Sequence, residues 1–236
     1  MSMAEELGKI EKPEAAKYAK GRKLLFVPLI FSPLELEEDL GKRIRKYWDE
    51  VEDHLSNLEL KLGVVTKIFH ELVPVGGDEG VRAIEDLNSE SGHIIRNRVD
   101  KGAEIQPLED ADALTAFMDW SRCLAIGLQN QQVFTTVYEA YLEAHSGRNK
   151  SIAQRLDEVL KGDDIGILLM REGHQVQFPE DIEVFYVAPP ALDELKRWIR
   201  GREGVAPPEK GTEAEEKAQA ESSESTDKDS GEAAET

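Results

Sequence analysis

Two short, uninterrupted apolar runs constrain the fold of this chain more than any other feature of its sequence. The first, KLLFVPLIF, occupies residues 23–31, and the second, IGILLM, occupies residues 165–170. A strand that faces water on one side alternates apolar and polar residues, whereas a strand covered on both sides is apolar throughout. The two runs therefore predict interior strands of a sheet that has helices on both faces.

Weaker patterns predict the remaining strands. VVTKIFHELVPV at 64–75 is rich in β-branched residues, and EVFYVA at 183–188 is a further short run. AEIQPLED, residues 103–110, is typical of an edge strand or a loop, because Pro107 has no N–H for a central ladder. The sequence thus predicts about four or five strands in a mostly parallel or mixed sheet.

A long amphipathic helix is predicted after the first strand. Ser32 and Pro33 suit an N-cap and a first helical residue, and Gly63 suits a C-terminal stop. Apolar residues spaced by threes and fours form one stripe between these ends. The stripe consists of Leu36, Leu40, Ile44, Tyr47, Val51, Leu55, Leu58 and Leu62.

A second long helix is predicted from Asp110 or Asp112, either of which suits an N-cap, to the polar sequence HSGRN at 145–149. Its apolar face is interrupted by the neutral polar cluster at 130–132, which could serve as a hydrogen-bond network, a register device or a pocket lining. Shorter helices are predicted at 78–101, which Gly92 and the polar sequence NSESG could break, at 152–160 and from Pro190 onward. Strands alternating with long packed helices predict an α/β fold.

The two ends of the chain differ in composition from the middle. Residues 1–20 alternate Glu, Lys and Ala and predict a flexible leader. Residues 204–236 contain no aromatic residue, and after Val205 no branched aliphatic one, which predicts a disordered acidic tail. Residues 21–203 are predicted to form a single α/β domain, with a possible subdomain break near residue 109.

Charge and hydropathy indicate the class of protein. Lys and Arg number 29 against 48 Asp and Glu, a net charge of −19, so the long-range field repels nucleic-acid phosphates. The longest apolar run, residues 24–31, is too short to cross a bilayer, and the preceding segment lacks the apolar core of a signal peptide. The sequence predicts a cytoplasmic protein that contacts neither membrane nor nucleic acid.

One glycine-rich segment is a candidate ligand site. VGGDEG, residues 75–80, leads from a predicted strand into a helix N-terminus, where free backbone N–H groups bind anions. Asp78 and Glu79 would place negative charge where a phosphate would bind, which favours a tight structural turn. Gly76, Gly77 and Gly80 remain candidates for a ligand-binding cleft wall.

No segment carries a specific catalytic or metal motif. None of the five histidines has a second histidine three to five residues away, so no metal site and no cofactor is predicted. The candidates for acid/base chemistry are His70, Glu71 and His174, although strand alternation would direct the first two to opposite faces. Cys123 is expected to be a core residue, and no serine lies in a nucleophile elbow; the serines considered are Ser32, Ser121 and Ser146.

Residues 151–202 resemble the last α/β domain of bacterial relatives of archaeo-eukaryotic release factors. The resemblance rests on IAQRLDEVLKGDDIGILLMREGH followed by FPEDIEVFYVAPPALDELKRWIR, in which a helix ends in a glycine-acid turn and leads into a strand. Release factors hydrolyse peptidyl-tRNA with a Gly-Gly-Gln tripeptide, but here Gly76 and Gly77 are followed by Asp78. The resemblance implies a translation-associated protein without peptide-release activity.

Three functions follow as hypotheses. The first is a non-enzymatic protein-interaction module that binds a protein partner or a second copy of itself through its long helices, for example along the stripe at 44–62. The second is a ribosome-associated or translation-associated factor. The third is an enzyme that binds a small molecule in a cleft at Gly76–Gly80, with an acid or base from His70, Glu71 or His174.

Overall fold

A five-stranded parallel sheet forms the centre of the fold. The computed structural model describes residues 20–32 and 37–202, and within them every strand pairing is parallel. The strand order is β3-β2-β4-β1-β5. The strands are β1 (Lys23–Pro28), β2 (Lys67–His70), β3 (Glu104–Ile105), β4 (Ile165–Met170) and β5 (Glu183–Tyr186). The predicted α/β fold class is confirmed.

The described residues also form six helices: α1 (Glu38–Leu62), α2 (Gly77–Leu87), α3 (Ser89–Asp100), α4 (Ala111–Ala125), α5 (Gln131–Val159) and α6 (Pro190–Arg202). Both apolar runs of the sequence become strands that are buried along their whole length, β1 and β4. They occupy neighbouring interior positions. Continuous apolar runs thus mark covered strands here, as predicted.

One face of the sheet packs against the C-terminal half of α5. Ile152 and Leu156 of α5 join a buried cluster with Phe69 of β2 and Leu168 of β4, and each of these side chains is fully buried. Burying one such side chain stabilises the fold by about 1.5–3 kcal/mol. This face therefore anchors one end of α5 firmly to the sheet.

The apolar stripe of α1 is buried within the monomer as far as Leu55. Ile44, Tyr47, Trp48, Val51 and Leu55 are all almost completely inaccessible to solvent. The Tyr47 hydroxyl donates a hydrogen bond to the carbonyl oxygen of Pro28 at the end of β1. Most of the α1 stripe is therefore core, and the predicted protein-binding seam at 44–62 is not available there.

The two ends of α1 compare differently with prediction. Gly63 ends the helix as predicted, with a φ of +119°, a conformation that favours glycine. The start differs, because the helix begins at Glu38 with Glu37 before it, so Ser32 is not its N-cap. The predicted first residue, Pro33, lies outside the described residues.

The predicted second long helix is wrong in its boundaries. The helix that starts after Asp110 ends at Ala125, and a new helix begins at Gln131. Gly127 takes a φ of +75°, and the Asn130 side chain accepts a hydrogen bond from the Val133 N–H at 3.1 Å, as an N-cap does. At the other end the helix runs through HSGRN, so the helix predicted at 152–160 is the last part of α5.

Two strand predictions also change in extent. The strand predicted at 64–75 covers Lys67–His70, because the chain turns directly after His70. The predicted edge strand at 103–110 is the two-residue β3, which does lie at the edge of the sheet. β3 lies beside β2, and both strands lead toward the same group of charged side chains.

The described chain divides into two compact units, the first ending at Ala191 and the second beginning at Leu192. The second contains the rest of α6, in which the Arg202 guanidinium lies 4.7 Å from the centre of the Trp198 ring. The predicted leader, apart from Lys20, and the predicted tail lie outside the described residues. None of the described helices combines the length and apolarity that a membrane crossing requires.

Candidate functional site

Charged side chains meet where β2 and β4 end. These strands are neighbours in the sheet, and Glu71 and Arg171 are the first residues after them. The Glu71 N–H donates to the Leu169 carbonyl oxygen at 2.8 Å, which extends the ladder by one bond. The carboxyl ends of parallel strands are where open α/β sheets bind their ligands.

The Glu71 carboxylate binds two arginines. Its Oε2 accepts from the backbone N–H of Arg171 at 2.9 Å, and its Oε1 accepts from Arg171 Nη2 at 2.9 Å. Arg148, which α5 supplies, donates from its Nη2 to the same Oε1 at 3.2 Å. Glu71 thus joins the end of β4 to the middle of α5.

Arg148 is shared with a second carboxylate. Its Nε donates to Glu109 Oε2 at 3.0 Å, and its Nη2 also donates to Glu109 Oε1. We call Glu71, Glu109, Arg148 and Arg171 the charged cluster. Three of its side chains are at most 5% exposed, whereas that of Arg171 is 52% exposed. Its formal charge is zero, and only Arg171 reaches well into solvent.

The turn after β2 has an unusual backbone. Leu72 has a φ of +69°, which a residue with a branched side chain rarely adopts. Its N–H donates to Glu109 Oε1 at 3.2 Å, and the following Val73 N–H donates to the His70 carbonyl oxygen at 3.2 Å. Strained backbone of this kind persists only where surrounding interactions hold it, and it concentrates at functional sites.

The charged cluster fixes the ionisation of Glu71. Burial disfavours the charged carboxylate, but the hydrogen bonds from Arg171 and the nearby charge of Arg148 outweigh burial, so the pKa of Glu71 lies below its ordinary value. The same hydrogen bonds raise the pKa of Arg171 despite its partial burial. All the pairing in this part of the cluster is therefore between charged groups at neutral pH.

Two histidines flank the charged cluster. The His174 ring lies 5.0 Å from that of Phe26 and 5.3 Å from that of Phe178, and the His145 ring stacks on Tyr141 at 5.8 Å. Burial lowers the pKa of both histidines, and the charge of Arg148 lowers that of His145 further. Both rings are therefore neutral at pH 7.

These groups surround a cavity of about 360 Å³, which falls within the range of small-molecule sites. Strand ends, the loop after β4, α4 and α5 all contribute to its lining. The lining residues are Glu71, Phe117, Ser121, Tyr141, His145, Arg148, Asn149, Arg171, Glu172, Gly173 and His174. We call this the β2–β4 cavity.

The three predicted acid/base candidates separate in the structure. Glu71 and His174 both line the β2–β4 cavity, whereas His70 does not. His70 is completely buried, and its Nδ1 lies 2.5 Å from the Glu71 carbonyl oxygen. Burial lowers the pKa of His70 to about 4, so the ring is neutral at pH 7. Its Nε2 is buried and has no hydrogen-bond partner among the described residues.

The glycines of the predicted ligand loop lie elsewhere. A Cβ on Gly76 would come within 2.8 Å of the Ile105 carbonyl oxygen, and one on Gly80 within 2.7 Å of the Ile105 side chain. Gly77 has a φ of +57° and open space around it. Close packing of α2 on β3 thus explains why two of these positions are glycine. A separate cavity of about 350 Å³ lies next to this loop, lined in part by Pro74 and Pro107.

Of the other residues considered from the sequence, Ser121 lines the β2–β4 cavity. Ser146 lies beside His145 in the chain but lines a different depression. Cys123 is a free, partly exposed thiol on α4, so it is not a core residue. The described residues contain no group of three or more side chains suited to hold a metal ion.

Sequence reasoning missed four residues of this site: Glu109, His145, Arg148 and Arg171. Arg171 carries a usable signal, since a charged residue directly after a fully buried strand lies at the ligand-binding edge of a parallel sheet. Arg148 is concealed because the polar sequence HSGRN is typical of a turn. Its position on α5 becomes meaningful only once the helix is known to continue.

Comparison with family models, with curated proteins and with solved structures finds no match to this chain. The resemblance of residues 151–202 to release-factor relatives is therefore untested and stays a prediction.

Proposed function

We propose that this chain is a protein-interaction module that pairs with a second copy of itself through the α4–α5 hairpin. The observation that carries the proposal is the composition of the hairpin tip, residues 120–138. Arg122 is the only charged residue among these 19, in a chain of which 33% is charged. Interface cores are depleted of charge in this way.

The hairpin exposes this surface. None of residues 115–147 is buried, although α4 and α5 pack on each other along this stretch. Ile126 is 74% exposed and Val133 is 48% exposed, and the aromatic rings of Phe134 and Tyr138 stack nearby at 5.8 Å. Exposed apolar surface next to aromatic side chains is typical of contact sites.

A second copy suits this surface better than a charged partner does. The chain carries a net charge of −19, so two copies repel each other over most of their surface, and the repulsion is weakest where charge is absent. Two antiparallel hairpins packed side by side form a four-helix bundle, and a two-fold axis pairs the same patch on both copies. Specific interfaces use about 20–30 residues a side, and α4 and α5 extend the tip along a stretch, residues 115–147, in which no residue is buried.

The proposal narrows the interaction surface expected from the sequence, which was the two long helices, to the second of them. The α1 stripe is buried up to Leu55, whereas the α4–α5 surface is partly open along its length. The mechanism stays the same, since a long helix still offers apolar side chains to another protein. Of the two helices predicted to do so, the first drops out because its stripe is buried as far as Leu55.

Sedimentation velocity over two orders of magnitude in protein concentration tests the proposal. We expect the wild-type chain to dimerise and Ile126→Glu to be monomeric, because the substitution buries a carboxylate at a like-with-like contact. Leu60→Glu is the matched control, since Leu60 is 86% exposed on α1, outside the hairpin. It should dimerise like the wild type.

Two results would overturn self-association. One is a wild-type chain that stays monomeric at every concentration, even if another protein copurifies with it. The other is equal weakening of the dimer by Leu60→Glu and Ile126→Glu, which would indicate a general effect of added negative charge.

The translation-associated hypothesis rests on the resemblance alone. Absence of cosedimentation with ribosomes at low salt would remove it. The hypothesis of an enzyme with a cleft at Gly76–Gly80 requires an acid or base beside that loop. Glu71 and His174 instead line the β2–β4 cavity, whose lining does not include these glycines.

A further inference from the structure

The two arginines of the β2–β4 cavity keep donors in reserve. Arg171 uses its Nε and Nη2 on Glu71, and Arg148 uses its Nε and Nη2 on Glu109 and Glu71. Among the described residues, neither Nη1 has a hydrogen-bond partner. The Arg148 Nη1 keeps contact with solvent, although the residue as a whole is only 4% exposed.

These guanidinium groups are held before any ligand arrives. Glu71 and Glu109 fix their planes, and the Arg148 guanidinium lies 4.8 Å from the centre of the Phe117 ring. Donors that are already oriented lose little conformational freedom on binding. The strained turn at Leu72 contributes to this order, because its N–H holds one oxygen of Glu109.

The charge of the site limits what it takes. The charged cluster is formally neutral and Glu172 adds one negative charge to the cavity lining, so a ligand with several negative charges is repelled more strongly than a ligand with one. Each arginine offers its Nη1 as a charge-assisted donor, which can bind one oxygen of a carboxylate. The site therefore favours one carboxylate over a multiply charged phosphate.

Aromatic side chains also line the cavity. The Phe117 ring lies 5.7 Å from the rings of both Tyr141 and His145, and these two stack on each other. An apolar or planar ligand body would pack well against this wall. His145 and His174 are neutral at pH 7 and add no charge there.

We infer that the β2–β4 cavity binds a small monocarboxylate with an apolar or planar body, its carboxylate on Arg171 and Arg148 and its body against Phe117 and Tyr141. The inference does not depend on self-association. The proposed ligand site lies partly on the α4–α5 hairpin, because both helices contribute to the lining of the cavity.

Titration of the full chain with benzoate, followed by NMR of the histidine ring protons, tests the inference. We expect saturable shifts of His145 and His174, no saturation with the uncharged isostere benzamide, and weaker or absent binding of inorganic phosphate. Arg171→Gln should weaken benzoate binding about tenfold or more, because it removes a charge-assisted donor. Arg122→Gln removes an arginine on α4 outside the cavity and should leave binding unchanged.

A second pair of variants tests the cavity without altering the charged cluster. Ser121→Trp places a large side chain in the lining and should abolish benzoate binding, whereas Ser146→Trp, outside this lining, should not. The inference is overturned if benzoate fails to bind the wild-type chain. It is also overturned if benzamide or phosphate binds as well as benzoate, or if Ser121→Trp binds benzoate normally.

Discussion

The two halves of α5 differ in burial. From Arg148 onward the helix supplies a buried ion pair and the core residues Ile152 and Leu156. From Gln131 to Gly147 the same helix contains no buried residue. Continuous hydrogen bonding along one helix thus joins a part with core residues to a part without any buried residue. Surface that contributes little to stability is free to serve a partner.

The largest predicted loss of stability is at Arg148, where the exposed half of α5 meets the buried half. Arg148→Met should lower the free energy of unfolding by about 3–5 kcal/mol, because it leaves Glu71 and Glu109 buried without their shared cation. Urea denaturation measures the change. Arg122→Met, which removes an exposed arginine paired with Asp119, should change stability by no more than about 0.5 kcal/mol. Equal effects of the two variants would contradict the distinction.

Truncating a leucine should also destabilise the protein much more in the C-terminal half of α5 than in the N-terminal half. Leu156→Ala removes a fully buried side chain and should cost about 2–5 kcal/mol, whereas Leu142→Ala, at a position 42% exposed, should cost about 0.5 kcal/mol or less. Denaturation of both variants at low protein concentration gives the comparison without a contribution from self-association. A large loss with Leu142→Ala would show that the N-terminal half also supports the monomer.

Acid should destabilise the protein through the buried His70 at the end of β2. The pKa of His70 falls from an ordinary value near 6.5 to about 4, so the unfolded chain binds a proton that the folded chain rejects. Stability should therefore fall as pH decreases from about 6.5 to 4, by about 2–3 kcal/mol in total. The lowered pKa of Glu71 adds a loss at still lower pH.

His70→Gln isolates the histidine contribution, because glutamine does not titrate. The slope of unfolding free energy between pH 6.5 and 4 should be smaller in this variant than in the wild type. His54→Gln is the control, since His54 is exposed on α1. An unchanged slope in His70→Gln would show that other groups cause the acid sensitivity.

The parts of the fold that sequence could predict are those set by burial. Continuous apolar runs identify β1 and β4, and spacing by threes and fours identifies the buried stripe of α1. Both signals report which side chains leave water, and the removal of apolar surface from water is the dominant driving force of folding. Gly63 was predictable for a local reason, since the end of a helix needs a conformation that glycine adopts freely.

The parts that escaped prediction depend on contacts between distant residues. Glu109 and Arg148 are far apart in sequence, and only the packing of α5 beside the loop after β3 brings them together. The break between α4 and α5 had a local signal in Gly127 and Asn130, but apolar periodicity on both sides concealed it. Cap chemistry determined the boundary where periodicity did not.

The smallest expected effect concerns that boundary. Asn130→Ala removes the side chain that caps α5 and should cost about 1 kcal/mol. Because the N-terminal half of α5 contains no buried residue, the loss should appear as faster amide hydrogen exchange at Val133 and its neighbours, with little change near Leu156. Gln129→Ala, at the adjacent exposed position, should change neither. If Asn130→Ala instead accelerated exchange at both ends of α5, the helix would open as one unit, and the distinction between a stabilising half and a free half would fail.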